Sequence, residues 1–126
     1  MIRCQSQERP YRTIFTNGTF SGACDAPPDK GGEGDGFRPH ELLEAALGSC
    51  LAMTLSMYAR HHRLPLEEVT VSVTLERPEA GTSVFACDIR LTGDLSETAR
   101  ARLLRAARAC PVRKTLAGQL VVVEKD

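Results

Sequence analysis

The chain has 126 residues, of which 42% are hydrophobic and 25% charged, and this balance predicts a folded domain rather than a disordered chain. Sixteen basic and sixteen acidic residues cancel, which argues against a protein that binds nucleic acid or an anionic membrane through a basic surface. No uninterrupted apolar run reaches the roughly 20 residues of a membrane span, and the first ten residues lack the apolar core of a secretory signal. We therefore expect a single cytoplasmic domain over residues 1–126.

The first part of the chain predicts short strands and a hairpin. Residues 1–8 and 11–16 have strand composition, and the Asn17-Gly18 dipeptide that follows is a strong signal for a tight turn between antiparallel strands. Residues 25–39, DAPPDKGGEGDGFRP, are rich in Pro, Gly and Asp and predict a loop without regular structure. Loops of this length in a compact domain are usually functional or mobile, so we expect a mobile loop.

A long helix is predicted from His40 to about Arg60, and Pro39 stands at its entrance, where the missing N–H costs nothing. Leu42, Ala45 and Leu51 lie off its main apolar stripe, so the helix is apolar on much of its circumference and is expected to be central. Gly48 in its middle predicts a close approach by a neighbouring element. The stripe itself recurs at three- and four-residue spacing and consists of Leu43, Ala46, Leu47, Cys50, Met53, Thr54 and Met57.

The second half of the chain predicts two strands, a helix and a last strand. Residues 69–77 and 83–93 alternate in polarity, with Phe85, Cys87, Ile89 and Leu91 on one face of the second strand. Ser96 is a plausible N-cap for the following helix, and residues 119–125 have strand composition. The order of elements indicates an α+β fold with a mostly antiparallel sheet.

Five cysteines at odd spacings form neither a CxxC motif nor a zinc-knuckle pattern. Cys87 is predicted to be a core residue, and Cys4 and Cys24 have no suggested partner. Cys50 lies mid-helix, where burial alone would raise its pKa and make it inert. Cys110 precedes Pro111 and is a plausible N-cap of a new helical turn, which would favour a thiolate; equally, the Cys-Pro step could simply end one helix and start another.

Two stretches together resemble a known family. GFRPHELLEAALGSCLAMTLSMYARHHRLPLEEVTVSV and CPVRKTL resemble the OsmC/Ohr family of thiol-dependent hydroperoxide reductases, and the match runs from about Asp25 to the C-terminus. Its specific part is Pro-x-Glu-Leu-Leu followed by a mid-helix Gly-Ser-Cys and, far downstream, Cys-Pro-Val. The resemblance implies an α+β, OsmC-like fold in which mostly antiparallel sheets wrap around two central helices of each subunit in an intertwined homodimer.

The resemblance also implies a chemistry for two of the cysteines. Cys50 would match the peroxidatic cysteine and Cys110 the resolving one, in an oxidoreductase that reduces an organic hydroperoxide to an alcohol in oxidative or osmotic stress defence. A dithiol of the lipoyl or thioredoxin type would restore both thiols. No metal and no organic cofactor is expected, and neither nucleic acid nor a membrane is an expected partner. The substrate pocket would be lined by Leu43, Leu47, Met53 and Met57.

The sequence departs from the family at the helix entrance. The best-studied peroxidase branch has an acidic residue directly after the entry proline, paired with an arginine that activates the thiolate. Here His40 follows Pro39 and the acid is Glu41, while Arg12 and Arg38 are candidates for the arginine by neighbourhood.

Two alternatives to a peroxidase remain open from the sequence. One is a non-catalytic OsmC-like dimer that binds a small ligand or senses redox state through the same thiols, and the other is a structural domain in which both cysteines only pack. His61 and His62 are expected to be solvated residues at a helix end, because adjacent helical residues do not face the same way.

Overall fold

The structure is a computed structural model that describes residues 1–125. The chain divides into two compact units, Met1–Leu43 and Glu44–Asp126. The α+β class and the antiparallel pairing predicted from the sequence are confirmed. That the chain is one domain stays a prediction.

The first unit is built on a three-stranded antiparallel sheet. Its strands are β1 (Arg3–Ser6), β2 (Thr13–Thr16) and β3 (Ser21–Cys24), in that spatial order. The predicted Asn17-Gly18 hairpin is confirmed: Gly18 has φ +99°, and the Asn17 side-chain oxygen accepts the N–H groups of Thr19 and Phe20 at 2.9 and 2.8 Å. The local turn chemistry thus sets the register of β2 against β3.

The loop that follows β3 is organised around one buried carboxylate. Asp25 is 3% exposed and accepts the N–H groups of Ala26, Asp35 and Glu33 at 2.8, 3.1 and 3.3 Å. A 3-10 turn forms at Pro28–Lys30, and Phe37 pairs with Cys24 as a parallel bridge. The segment expected to lack regular structure therefore has a defined hydrogen-bonded conformation, because one side chain replaces the missing backbone ladder.

Helix α1 (Pro39–His61) begins in the first unit and continues into the second. The second unit then contains an antiparallel hairpin of β4 (Leu66–Glu79) and β5 (Thr82–Gly93), which turns at Gly81 with φ +84°. It continues with α2 (Glu97–Ala106), a 3-10 turn at Ala107–Ala109 and α3 (Pro111–Ala117). Ser96 is the N-cap of α2 as predicted, since its hydroxyl accepts the Ala99 N–H at 3.1 Å.

The buried face of α1 in the second unit differs in part from the apolar stripe that the sequence predicted. Leu51, which was placed off the stripe, is 3% exposed, whereas Met53 and Met57 are 58% and 68% exposed. The inward face of α1 follows an i, i+4 row, because the helix presents that row to β5 and α2. The buried core consists of Leu47, Leu51, Leu55, Ala59, Leu91, Leu103, Ala107 and Cys110.

Gly48 allows α1 to lie close against β4, as the sequence predicted. A Cβ at Gly48 would stand 3.2 Å from the Val73 Cγ2 atom and 3.8 Å from the Val71 carbonyl oxygen. One turn earlier, the Glu44 carboxylate accepts the Leu75 N–H at 2.7 Å. The helix and the strand are therefore joined by both packing and a charge-assisted hydrogen bond.

The helix α1 is also long and apolar enough to cross a bilayer, judged by length and composition only. The core helix of a globular domain passes the same test, and one face of α1 forms the core described above.

The strand predicted over residues 119–125 is not present in the described part of the chain, and that prediction is wrong for the chain alone. A strand needs a neighbour to pair with its backbone groups, and no strand of residues 1–125 lies beside this segment. Its apolar side chains are exposed as a consequence, with Val122 at 87%.

Candidate functional site

The Cys-Pro step ends α2's 3-10 extension and begins α3. Cys110 is the N-cap of α3, Pro111 occupies the first helical position, and the Cys110 sulfur accepts the Arg113 N–H at 3.4 Å. The step separates two helices and also places a thiol at a helix N-terminus. The expectation that this position would favour a Cys110 thiolate is wrong, because burial raises the pKa of this thiol. The Cys110 side chain is fully buried.

Cys50 lies on α1 beside this capping turn and packs against the core that contains Cys110. The Val112 N–H, the Cys110 thiol and the Thr54 hydroxyl are close enough to this sulfur to lower its pKa by hydrogen bonding. The structure thus brings Cys50 and Cys110 together in the core, although they are far apart in sequence.

The pKa values of the two thiols are shifted in opposite directions. The Val112 N–H, with the Cys110 thiol and the Thr54 hydroxyl, lowers the pKa of Cys50 below its ordinary value and outweighs the opposing effect of burial. Burial raises the pKa of Cys110, and the neighbouring Cys50 adds to that increase. Of the two, Cys50 is therefore the more acidic thiol and Cys110 the less acidic one.

A thiolate with a protonated thiol in contact can do two things. It can act as a nucleophile, since the thiolate is the reactive form of cysteine. Once oxidised to a sulfenic acid, it can also condense with the adjacent thiol to form a disulfide. Among residues 1–125, no group of three or more His, Cys, Asp or Glu side chains has the arrangement of a metal site.

The other predicted supporting residues lie in the first unit, and two of them, Glu41 and Arg12, form side-chain hydrogen bonds there. Glu41 accepts the Arg38 N–H at 2.8 Å, which is the reach-back half of a capping box at the start of α1. Arg12 donates to the Asp35 carbonyl at 2.7 Å and to its carboxylate at 3.2 Å. His40 is exposed on the first turn of α1. Their support of a thiolate stays a prediction.

The predicted pocket residues do not form a closed wall within the chain. Leu47 is buried in the core, whereas Leu43, Met53 and Met57 are exposed. Their role in binding substrate stays a prediction.

The remaining cysteines occupy three different environments. Cys87 was predicted to be core, but it is exposed and faces an open cavity, because the helices opposite β5 do not close over it. Cys4 is exposed and Cys24 is half-buried on strands of the first unit. Burial raises the pKa of Cys87 and of Cys24, so neither has the thiolate character of Cys50.

His62 is not merely solvated as the sequence suggested. Its ring lies 4.1 Å from that of Tyr58, centroid to centroid, and its Nδ1 atom is 3.2 Å from an Arg102 guanidinium nitrogen. Burial, with the charge of Arg102, lowers the pKa of His62. This contact fastens the end of α1 to α2.

Two donors to Cys50 were missed by reasoning from the sequence. Thr54 was assigned to the apolar stripe, yet its position four residues after Cys50 places its hydroxyl on the same helix face. Val112 contributes only a backbone N–H, which its side-chain type does not reveal; the signal was the Cys-Pro helix start just before it.

The structure thus defines an α+β protein of antiparallel sheets and helices in which Cys50 packs beside Cys110. A family profile described as "OsmC-like protein" matches residues 32–125. The chain belongs to the OsmC-like family.

Solved structures of the same fold come from several bacteria. An OsmC-like protein from Mycoplasma pneumoniae is similar with a TM-score of 0.78 and 21% identity, over 94% of this chain and 86% of that one. An organic hydroperoxide resistance protein OsmC from Legionella pneumophila gives 0.68 and 22%, over 94% and 88%. The organic hydroperoxide resistance protein OhrB of Bacillus subtilis gives 0.65 and 20%, over 94% and 90%. A search of curated proteins found no match.

Proposed function

We propose that this protein is a thiol-dependent peroxidase that reduces organic hydroperoxides to alcohols with Cys50 as the peroxidatic and Cys110 as the resolving cysteine. The observation that carries the proposal is the position of Cys50 beside Cys110 in the core, where the pKa of Cys50 is lowered and that of Cys110 is raised. The names of the Legionella pneumophila and Bacillus subtilis relatives support the substrate class.

The first step consumes the hydroperoxide. The Cys50 thiolate attacks the terminal oxygen of R–O–O–H, the S–O bond forms and the O–O bond breaks. The electron pair of the broken bond leaves on RO⁻, which takes up a proton to give the alcohol, and sulfur is oxidised to a sulfenic acid. Hydrogen bonding to Cys50 lowers its pKa and so favours the ionised form of the attacking sulfur against the opposing effect of burial.

The second step removes the sulfenic acid. Cys110 loses its proton, its sulfur attacks Cys50, and a disulfide and one water molecule form. Because Cys110 is buried against Cys50, this step competes well with over-oxidation by a second hydroperoxide. A dithiol of the lipoyl or thioredoxin type then reduces the disulfide by exchange and is itself oxidised to a disulfide.

The proposal includes a homodimer, because several apolar surfaces of the chain are left uncovered. Met53 and Met57 are exposed on α1, and the apolar segment of residues 120–123 has no strand beside it among residues 1–125. In the first unit, an open cavity of about 590 Å³ lies on the face of the sheet that carries Phe15. A second copy would cover such surfaces and close the substrate pocket.

A second candidate is a redox-sensing or ligand-binding dimer without turnover. It is favoured by the source of the Cys50 shift, which consists of hydrogen bonds and, among residues 1–125, includes no arginine charge. A thiolate without a cationic neighbour would be oxidised more slowly, which suits a sensor.

The deciding experiment is single-turnover oxidation of the pre-reduced protein by cumene hydroperoxide, with free thiols counted before and after. We expect rapid loss of two thiols in the parent, none in Cys50→Ser, and a trapped sulfenic acid in Cys110→Ser. Cys87→Ser is the matched control and should behave like the parent. If the parent keeps its thiols at millimolar peroxide for minutes, the peroxidase proposal fails; slow oxidation with no sustained turnover would favour the sensor.

The dimer is tested separately by light scattering during size-exclusion chromatography. We expect twice the mass of one chain. The double variant Met53→Glu, Met57→Glu should shift the mass toward the monomer, while Arg60→Glu, an exposed change at the far end of the same helix, should not.

A further inference from the structure

A second cavity in the molecule is not used by the proposed reaction. It has a volume of about 390 Å³, lies in the second unit between β5, α1 and the α2–α3 region, and does not include Cys50. That volume is in the range of small-molecule sites. Its apolar wall consists of Leu47, Leu51, Phe85, Ile89, Leu104 and Leu116.

Two arginines give this cavity a charge. Arg108 and Arg113 are part of its lining, and no acidic residue is. Over residues 1–125, neither guanidinium forms an ion pair or a hydrogen bond, in contrast to Arg9, Arg12 and Arg90. The cavity therefore combines an apolar wall with two positive groups that have no partner in the described chain.

Cys87 gives independent evidence that the positive charge of Arg113 acts inside this cavity. Its side chain lies in the lining, and the charge of Arg113 opposes the effect by which burial raises the pKa of this thiol. The guanidinium is thus close enough to act on a group in the cavity wall. The cavity also explains why Cys87, which was expected to face the core, is exposed.

We propose that this cavity binds an amphipathic monoanion, a carboxylate on an unbranched hydrocarbon tail. The tail would lie along the apolar wall formed by α1 and β5, and the carboxylate would take hydrogen bonds from Arg108 and Arg113. Guanidinium groups match a carboxylate in both charge and planar geometry. A cation would meet two like charges, and a neutral alcohol would leave both guanidiniums without a charged partner.

The first test measures binding of monomeric decanoate to the full chain by calorimetry. We expect decanoate to bind, and decan-1-ol and decyltrimethylammonium to bind at least about tenfold more weakly, since one charge-assisted interaction corresponds to about a factor of ten or more. Arg108→Gln and Arg113→Gln should each raise the Kd by about tenfold. Arg105→Gln removes an exposed arginine of α2 outside the lining and should leave the Kd unchanged.

The second test reads the cavity through Cys87. Decanoate at saturation should slow the alkylation of Cys87, followed by peptide mass mapping, while the exposed Cys4 keeps its rate as an internal control. This readout remains decisive if Arg113→Gln, which lies in the short helix α3, does not fold. It is also independent of peroxidase activity, so the proposed reaction can fail without affecting it.

Three results would overturn the proposal. Equal Kd values for decanoate and decan-1-ol would mean that the arginines take no part. An unchanged Kd in both arginine variants would mean the same. Cys87 that is unreactive before any decanoate is added would mean that the cavity is filled, by a second copy or another segment of the chain.

Discussion

Two groups in this molecule have a pKa lowered by hydrogen bonds, and they differ in what supplies those hydrogen bonds. In the first unit, the Asp25 carboxylate accepts three backbone N–H groups and lies 3.7 Å from the Arg9 guanidinium. In the second unit, the Cys50 sulfur has one backbone N–H, a thiol and a hydroxyl. The donors to Asp25 are fixed by the backbone, whereas two of the three donors to Cys50 are side chains that rotate.

The comparison shows that hydrogen-bond donors can hold a loop in place at Asp25 and adjust the pKa of a thiol at Cys50. The backbone N–H of Asp35, with those of Ala26 and Glu33, lowers the pKa of Asp25, so this carboxylate stays ionised and holds its loop. The donors to Cys50 also lower its pKa, but two of them are side chains that can rotate away. Because the intrinsic nucleophilicity of a thiolate falls as its pKa falls, further fixed donors would make the Cys50 sulfur a weaker nucleophile.

The largest expected effect comes from removing the Asp25 carboxylate. Asp25→Ala leaves three backbone N–H groups without their acceptor, and we expect the Tm to fall by roughly 5 °C or more. Asp25→Asn keeps the shape and part of the acceptor capacity, so its effect should be smaller. Asp29→Ala, an exposed change in the same loop, is the control, and thermal unfolding with limited proteolysis of residues 25–37 measures all three. Equal Tm values for the Asp25 and Asp29 variants would contradict the assignment.

The same comparison has a pH dependence with a definite sign. A carboxylate whose pKa is lowered by folding stabilises the native state above its ordinary pKa, and this stabilisation is lost as the pH falls through the folded value. The parent should therefore lose stability on acidification below the ordinary carboxyl range. Asp25→Asn should lose less over that range, and identical pH profiles would argue against the role of the charge.

The next effect concerns the Cys50 thiol and its neighbour Cys110. Because the pKa of Cys50 is lowered and that of Cys110 raised, Cys50 should be alkylated by iodoacetamide about tenfold faster or more at neutral pH. The Cys50 rate should reach half its limit below the ordinary thiol pKa, and the Cys110 rate above it. Peptide mass mapping over a pH series measures both. A reversed order would exchange the two proposed roles.

What could be predicted from the sequence were the features set by neighbouring residues. The Asn17-Gly18 turn, the Ser96 cap and the Cys110-Pro111 helix start each depend on contacts within three or four residues. Such contacts are encoded by residue type and spacing alone. The α+β class follows from the same local signals taken in order.

What could not be predicted depends on groups far apart in the chain. The inward face of α1 was assigned to the stripe with Met53 and Met57 because periodicity finds an apolar face without saying what covers it. The ordered loop around Asp25 escaped notice for a related reason: its donors are up to ten residues away, and Arg9 lies before two strands. The strand predicted at the C-terminus lacks a neighbour that no local pattern can supply.

The candidate site divides in the same way. The helix start at Cys110 was readable from the residues, whereas the pairing with Cys50 was implied only by the family resemblance. The thiol contact joins two helices that are distant in sequence, and its strongest donor is a backbone N–H. Nearly every residue type has a backbone N–H, so the cause of the lowered pKa of Cys50 could be found only in the structure.

The smallest expected effect isolates one of the rotating donors to Cys50. Thr54→Val keeps the branched shape of the side chain and removes the hydroxyl, which ranks last among the three hydrogen bonds that lower the pKa of Cys50. We expect the pKa of Cys50 to rise and its alkylation at neutral pH to slow by about threefold, since the other two donors remain. Thr54→Ser retains the hydroxyl and should keep the parent rate.

The pair of variants also decides between two explanations of the low pKa. If Thr54→Ser, which loses only the methyl group, slows the reaction and Thr54→Val does not, packing of that methyl group rather than the hydrogen bond supports the thiolate. If only Thr54→Val slows it, the hydroxyl hydrogen bond lowers the pKa of Cys50. The pKa of Asp25 and the pKa of Cys50 would then both depend on the hydrogen bonds that each group accepts, and the two sites would differ only in degree.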